Sequence, residues 1–277
     1  MALTERPPRS HGFMYVALTT AVLLTLVPFL WMLLGSFKTQ SELLRDPTGW
    51  LPTSPTFQNY RSWLTDLGFG HYFRNSLIVA GFTVIGNLLF CSMVGYVLAK
   101  MSFPGKRLLF GLVLTTLMVP GVVTFVPLFV LVSKLRLVDT YPALILPFLV
   151  TPLGVFLMRQ FMLGIPDSLI EAARMDGAGE IRIFARIVMP LCGPPLATLA
   201  ILTFLSSWNN FLWPLVAAQS DSRYTLPVAL SLYSTGQNAT DYGLLLAGSV
   251  LTITPIIVLF VFLQRFFVQG VAGTGIK

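Results

Sequence analysis

Two short stretches of this sequence gather side chains able to do chemistry. The first, "DSLIEAARMDGAGEIRIFARIVMP" (residues 167–190), carries Asp167, Glu171, Arg174, Asp176, Glu180, Arg182 and Arg186, in a chain where only 10% of residues are charged. The second, "SSWNNFLWPL" (residues 206–215), sets hydroxyls, amides and aromatic faces side by side. Carboxylates and guanidinium groups crowded onto one segment suit a polar docking surface. Amides, hydroxyls and rings suit a neutral, hydroxyl-rich solute. Neither stretch is a catalytic set. The chain has no Gly-x-Ser-x-Gly, no HExxH and no CxxC, and it lacks a G-x-x-x-x-G-K-[ST] phosphate loop, since no glycine lies five residues before the Gly105-Lys106 pair. Cys91 and Cys192 fall in apolar runs and read as small buried hydrophobes, with no metal role.

The elements that must hold these stretches are apolar helices. The chain has 277 residues, 55% of them hydrophobic, and a mean hydropathy of +0.78. Soluble domains are about 45–50% apolar and about 25% charged, so water is not the main solvent here. A helix needs about 20 mostly apolar residues to cross the hydrocarbon core. Six uncharged gaps approach or exceed that length, and they predict spans at about 13–37, 76–99, 108–132, 140–158, 191–214 and 243–264. The fold class expected is all-α: a polytopic membrane protein with six transmembrane helices in a domain of residues 13–264. It would be flanked by tails 1–12 and 265–277. The first apolar run is longer than the about 7–15 residues of a signal-peptide core and is read as a retained helix. A seventh uncharged gap, 224–240, is rich in Ser, Thr, Gln and Asn and is read as part of an outer loop, 215–242.

Six spans put both termini on one side. If that side is cytoplasmic, it holds 11 Lys and Arg (Arg6, Arg9, Lys100, Lys106, Arg107, Arg159, Arg174, Arg182, Arg186, Arg265 and Lys277) against 7 outside. The positive-inside rule therefore favours cytoplasmic termini. The net charge of +7 then reflects membrane topology. No aromatic–basic pattern points to nucleic acid. This orientation makes 159–190 the longest inner loop.

Within that loop, Ser168-Leu-Ile-Glu171 reads as a capping box that starts a helix near Leu169. Gly177 and Gly179 are its stop signals. Ile170, Ala173 and Gly177 share one face, small enough for another protein's surface to approach closely. So short a helix is marginal alone in water and gains order by docking.

Glu171-Ala172-Ala173, then Gly177, Ile187 and Met189-Pro190, resembles the signature of permease subunits of bacterial ATP-binding-cassette importers, with Met189 where that signature has Leu. "SWNNFLWPL", "TLPVAL" (225–230), "QRFFVQGVAGTGIK" (264–277), "GSFK" (35–38) and Asn59-Tyr60 are similar to the carbohydrate branch of the maltose-transporter type. Asn210 stands where many relatives carry an acid. The resemblance implies a multi-pass permease in the bacterial cytoplasmic membrane that forms half of a sugar pathway. Its partners would be a second, non-identical permease, a dimer of ATPase subunits that binds ATP and Mg, an external solute-binding protein and the lipids. The chain itself would hold no cofactor and perform no catalysis.

By this resemblance the short helix is a coupling helix, and Ser168, Glu171, Ala172, Ala173, Arg174, Asp176, Gly177, Ile187 and Pro190 form the ATPase-coupling set. Tail residues Gly270, Gly273 and Gly275 would reach the ATPases, and the loop with Gly236, Gln237 and Asn238 would face the binding protein. No charge lies within the expected spans, which argues against a proton-linked carrier. The candidate solute contacts are Trp208, Asn209, Asn210, Phe211 and Trp213. The same residues could instead serve helix–helix hydrogen bonds and an interfacial aromatic belt. A non-sugar solute such as a glycerol phosphodiester is the alternative cargo.

Overall fold

The structure is a computed structural model. It describes residues 12–235 and 240–272, with side chains described as far as residue 261. In hydrocarbon every backbone N–H and C=O must be satisfied within the segment. The described residues accordingly form helices, with one isolated bridge between Thr235 and Thr240.

Along the chain run α1 (Gly12–Gly35), α2 (Gln40–Arg45), α3 (Gln58–Arg61), α4 (Phe69–Gly86), α5 (Ser92–Lys100), α6 (Lys106–Leu117), α7 (Gly121–Lys134) and α8 (Tyr141–Ile145). There follow α9 (Pro152–Leu163), α10 (Asp167–Met175), α11 (Glu180–Ile183), α12 (Met189–Leu191), α13 (Gly193–Trp208), α14 (Leu212–Ala217), α15 (Leu226–Ser234) and α16 (Tyr242–Ala272). A π-helical turn, Asn87–Cys91, joins α4 to α5 in one rod of 32 residues, Phe69–Lys100.

Three segments are unbroken and apolar enough to cross a membrane: α1, the α4–α5 rod and the stretch Tyr242–Val261 of α16. The other expected spans are bent pairs, α6 with α7 at 103°, the segment Tyr141–Phe148 with α9 at 42°, and Glu180–Leu191 with α13 at 82°. The continuous helix expected at 108–132 is thus two helices, because Pro120, which has no N–H, stands just before α7. The fourth span runs on to Leu163 and carries Arg159 inside its helix, and the rod begins at Phe69 and carries Arg74. The helices outrun the charge-free windows.

The loop expected at 215–242 needs the larger correction. It holds the end of α14 and all of α15, whose Leu226, Val228 and Ala229 are buried. The apolar run "LPVAL" opens that helix, with Pro227 in its first turn, where a missing N–H costs nothing. The polar residues after it masked the signal.

Contacts divide the described residues into two compact units. One contains the chain up to Leu67 together with Leu232–Ile253. In it, Asn59 Nδ2 donates to the carbonyls of Ser36 and Lys38, both at 2.9 Å, which closes the C-terminal end of α1. Ser36 and Tyr60 share a hydroxyl hydrogen bond at 2.6 Å. Trp63 is buried and donates its indole N–H to the Leu244 carbonyl at 2.8 Å. "GSFK" and Asn59-Tyr60, far apart in sequence, are one hydrogen-bonded cluster.

The other unit contains Gly68–Ser231 and the chain from Thr254. One core joins Cys91, Tyr96 and Leu98 of the rod to Val155, Met158 and Met162 of α9, and to Ile170, Ala173, Ile183 and Val188 of the charged loop. A second gathers Val79, Val132, Leu144 and Trp213. Gly95 of α5 lies against α9, and Gly154 of α9 against the rod's π-helical turn and α13: a Cβ on Gly154 would meet Cys91 Sγ at 2.8 Å and Leu199 Cδ1 at 3.0 Å.

Candidate functional site

The charged loop is ordered and built around α10. The helix begins at Asp167, two residues before the expected start, with Pro166 in the cap position. Ser168 makes no capping hydrogen bond, so the expected capping box does not form. Pro166 and Asp167 replace it: the proline presets the entry, and a carboxylate in the first turn meets the positive end of the helix dipole.

The C-terminal end follows expectation more closely. Gly177 has φ +79°, in the left-handed region. The Gly177 N–H donates to the Arg174 carbonyl and the Ala178 N–H to the Ala173 carbonyl, both at 3.0 Å. Those two bonds are a Schellman motif, which needs a left-handed residue at this point. Gly179 is not left-handed and instead precedes α11.

Ile170 and Ala173, expected to face another protein, are buried in this chain's own core. The opposite stripe is exposed: Leu169, Ala172, Met175 and Asp176, with Glu171 and Arg174 beside it. Met175 is 83% exposed and Ile181, on the next helix, 84%. Large apolar side chains bare on a charged segment are the surface available for docking. Ile187 is half-buried against the core within the π-helical turn Phe184–Val188, and Pro190 is exposed at the first turn of α12.

Sequence reasoning missed what holds this loop. Lys100 Nζ, at the end of α5, pairs with Asp167 Oδ1 at 2.6 Å and donates to the Ile165 carbonyl at 2.5 Å. Tyr96, one turn earlier, donates its hydroxyl to Glu180 Oε2 at 2.6 Å, and Arg174 Nε meets Glu180 Oε1 at 2.7 Å. Lys100 holds the Asp167 carboxyl below its ordinary value, and Glu180 raises Arg174. The usable signal was a Tyr and a Lys four apart at the end of an apolar span, aromatic then basic on one helix face.

The second candidate site is a cavity of about 220 Å³ between α4, α9 and α13. Its polar walls are Thr83, Asn87, Thr151, Thr203, Ser206, Ser207 and Asn210, and no charged residue lines it. Asn87 is fully buried; its Nδ2 donates to the Phe148 carbonyl at 2.5 Å and its Oδ1 accepts from Thr151 Oγ1 at 2.7 Å. This amide therefore satisfies the backbone freed at the break before α9.

Of the five expected solute contacts, only Asn210 lines this cavity. Trp208 is buried, stacked on Phe204 and edge-on to Phe73. Trp213 is buried in the second core and donates its indole N–H to the Ala143 carbonyl at 2.9 Å. Asn209 is exposed and bonds back to the Leu205 carbonyl of its own helix at 2.9 Å. Phe211 is half-buried at the start of α14. These tryptophans form an internal framework, because a ring between packed helices buries more apolar area than one at a surface. Of the expected tail contacts, Gly270 belongs to α16 by its backbone alone, and Gly273 and Gly275 lie outside the described residues, as do Gly236, Gln237 and Asn238.

Comparison with known proteins bears on both sites. The family described as "Binding-protein-dependent transport system inner membrane component" matches residues 91–273. The arabinooligosaccharides transport system permease protein AraQ of Halalkalibacterium halodurans is 44% identical over 269 residues, 96% of this chain and 94% of that protein. The diacetylchitobiose uptake system permease protein NgcG of Streptomyces coelicolor is 35% identical over 94% of this chain and 88% of its own length. The sn-glycerol-3-phosphate transport system permease protein UgpE of Yersinia pestis is 33% identical, covering 95% and 96%. In fold, the chain is similar to a solved chain of a bacterial ABC transporter involved in the import of the acidic polysaccharide alginate. The TM-score is 0.83 at 24% identity, over 96% of this chain and 100% of that one. The chain belongs to the family of inner-membrane components of binding-protein-dependent transport systems.

Proposed function

We propose that this chain is the permease subunit forming one half of the pathway of an ATP-driven sugar importer, with both termini in the cytoplasm of a bacterial cell. A second, non-identical permease would supply the other half, and an external solute-binding protein would deliver the sugar. Two ATPase subunits, binding ATP and Mg, would act on the exposed stripe of α10. This chain has no phosphate loop, so the energy must come from such partners. ATP binding would draw the coupling helices together and open the spans outward to receive solute.

The observation that carries the sugar reading is the uncharged cavity. Its mostly apolar wall of Leu, Val and Phe carries hydroxyls and amides at Thr83, Asn87, Thr151, Thr203, Ser206, Ser207 and Asn210. That is the mixture of apolar faces and hydrogen-bonding groups that a neutral sugar presents in return. The relatives named for oligosaccharides support it. The relative named for sn-glycerol-3-phosphate keeps a phosphorylated cargo as the second reading. A phosphate is normally met by Arg, Lys or a helix N-terminus, and no cation lines this cavity.

The test is purification of the tagged chain from its own membrane in mild detergent, with identification of co-purifying proteins. An ATPase and a second permease are expected. The associated binding protein should take up labelled oligosaccharides and refuse glycerol phosphate. A chain recovered alone that moves solute down a proton gradient in liposomes would overturn the reading.

A further inference from the structure

We propose that Tyr96 and Lys100 are positioning residues that clamp the charged loop to the second span. A push on the exposed stripe of α10 then enters the α4–α5 rod and reaches the cavity wall. The proposal rests on the importer reading above, which supplies the push.

Chain connectivity alone would send that push elsewhere. The loop is covalently continuous with α9 before it and with α13 after it. Yet the polar anchors at both ends of α10 come from α5, which is separated from them by 67 and 84 positions. Tyr96 and Lys100 are four residues apart, one helical turn, so they present the two anchors from one face. Lys100 fixes the start of α10 through Asp167 and the Ile165 carbonyl. Tyr96 fixes the far end through Glu180, which Arg174 of α10 also grips.

The clamp is stiff because Lys100 is buried and held by two acceptors. The Lys100 side chain is 3% exposed, whereas that of Asp167 is 75% exposed. The two acceptors, the Asp167 carboxylate and the Ile165 carbonyl, fix where the ammonium sits. The anchor therefore acts through geometry more than through the strength of an ion pair that solvent screens. Nor is there slack behind it. A Cβ on Gly95 would lie 3.0 Å from the Arg159 backbone nitrogen of α9. The Tyr96 ring also packs against Phe184 at 5.5 Å between centroids. Loop, α5 and α9 therefore move as one block.

The block is bounded by two π-helical turns, Asn87–Cys91 in the rod and Phe184–Val188 on the way to the fifth span. Such turns interrupt the regular ladder and commonly mark functional sites. Asn87, the first residue of the rod's turn, lines the cavity and bonds Phe148 and Thr151 at the break in the fourth span. Displacement of the block has its first yielding point beside the cavity.

The experiment uses the whole transporter with its partner subunits, reconstituted in liposomes, and reads ATP hydrolysed per solute imported. Tyr96→Phe and Lys100→Asp are expected to raise that ratio about tenfold, within the 5–150-fold of typical site-to-site coupling, while the assembled complex is recovered at wild-type yield. Lys100→Arg, which keeps a buried cation able to donate to both the Asp167 carboxylate and the Ile165 carbonyl, should hold the ratio near wild type, a rescue by the conservative variant. A wild-type ratio in both Tyr96→Phe and Lys100→Asp would overturn the clamp. So would a Lys100→Arg protein as uncoupled as Lys100→Asp. Backbone hydrogen exchange across 167–180 separates this failure from failure of the importer reading. Lys100→Asp should speed exchange by about tenfold even if no ATPase accompanies the chain, and unchanged exchange would sink the clamp by itself.

Discussion

Gly95 and Met158 lie backbone to backbone: a Cβ on the glycine would stand 2.9 Å from the Cβ of Met158. The space is closed by main chain, which no rotamer change can open. Gly95→Val should therefore separate α5 from α9 and lower stability by about 1–3 kcal/mol, the usual cost of overpacking. A thermal melt of the purified protein in detergent checks it. Gly111, with nothing within 4 Å of its Cβ position, is the control, and Gly111→Val should leave the melt nearly unchanged.

Gly177 is a different kind of glycine. Its Cβ position is empty of neighbours, but its backbone is left-handed. The penalty for a side chain is conformational, about 1–2 kcal/mol for ordinary residues and less for Asn. Uptake should therefore rank Gly, then Asn, then Ala, then Val at equal protein levels. A Gly177→Asn transporter as dead as Gly177→Val would show that the docked surface, not the backbone, rejects the side chain.

The two tryptophans and Asn210 should part company in a stability-against-transport measurement. Trp208→Ala empties a buried site and should cost about 3–5 kcal/mol. Trp213→Phe strands the Ala143 carbonyl and should cost about 1–3 kcal/mol. Asn210→Ala should cost at most about 1 kcal/mol, the worth of the long bond, 3.4 Å, that its Oδ1 accepts from the Trp213 N–H, yet raise the half-saturating solute concentration. Melting curves and uptake kinetics on the three variants decide this.

Acid should weaken one end of the clamp. Lys100 lowers the Asp167 carboxyl below 3.8, its ordinary value. A lowered carboxylate contributes stability above its unfolded value and loses it as pH falls through the folded one. The difference in melting temperature between wild type and Asp167→Asn should stay level across neutral pH and shrink only below 3.8. It should also be small, because Asp167 is largely solvated and its charge is screened.

Glu171 is exposed on α10, outside the chain's own core. Glu171→Lys should abolish uptake without lowering the amount of inserted protein, measured by immunoblot of membranes beside a transport assay. Normal uptake at normal levels would remove this helix from the coupling role.

What the sequence made legible was local. The apolar windows, the Gly177 stop and the charged segment are each written in consecutive residues; three of the windows fall on unbroken apolar helices and the others on bent pairs. What it hid was long-range or averaged. Tyr96 and Glu180 leave no shared pattern across 84 positions. The helix beginning at Leu226 disappears into the polarity of the residues that follow it. Ile170 and Ala173 lie on one face at the expected spacing, but periodicity cannot say whether that face looks inward or outward. Only the core they join settles it.

The bend at Pro120 sets a demand on the surroundings of this chain. At 1.5 Å per residue, the 12 residues of α6 reach about 18 Å from Lys106, well short of the about 30 Å of a bilayer's oily interior. The corner at Met118–Pro120 is therefore reached before the chain has crossed, and Met118 is 83% exposed there. The corner meets part of its own need: the Met118 and Val119 N–H groups bond the Thr115 and Thr116 carbonyls, and the Pro120 carbonyl accepts from the Val123 N–H. That leaves the first turn of α7, where a helix has N–H groups without an intrahelical partner. Acyl chains offer these nothing. Whatever adjoins this corner in the cell must be wet, or must be protein. A polar neighbour at the first turn of α7 would meet that demand.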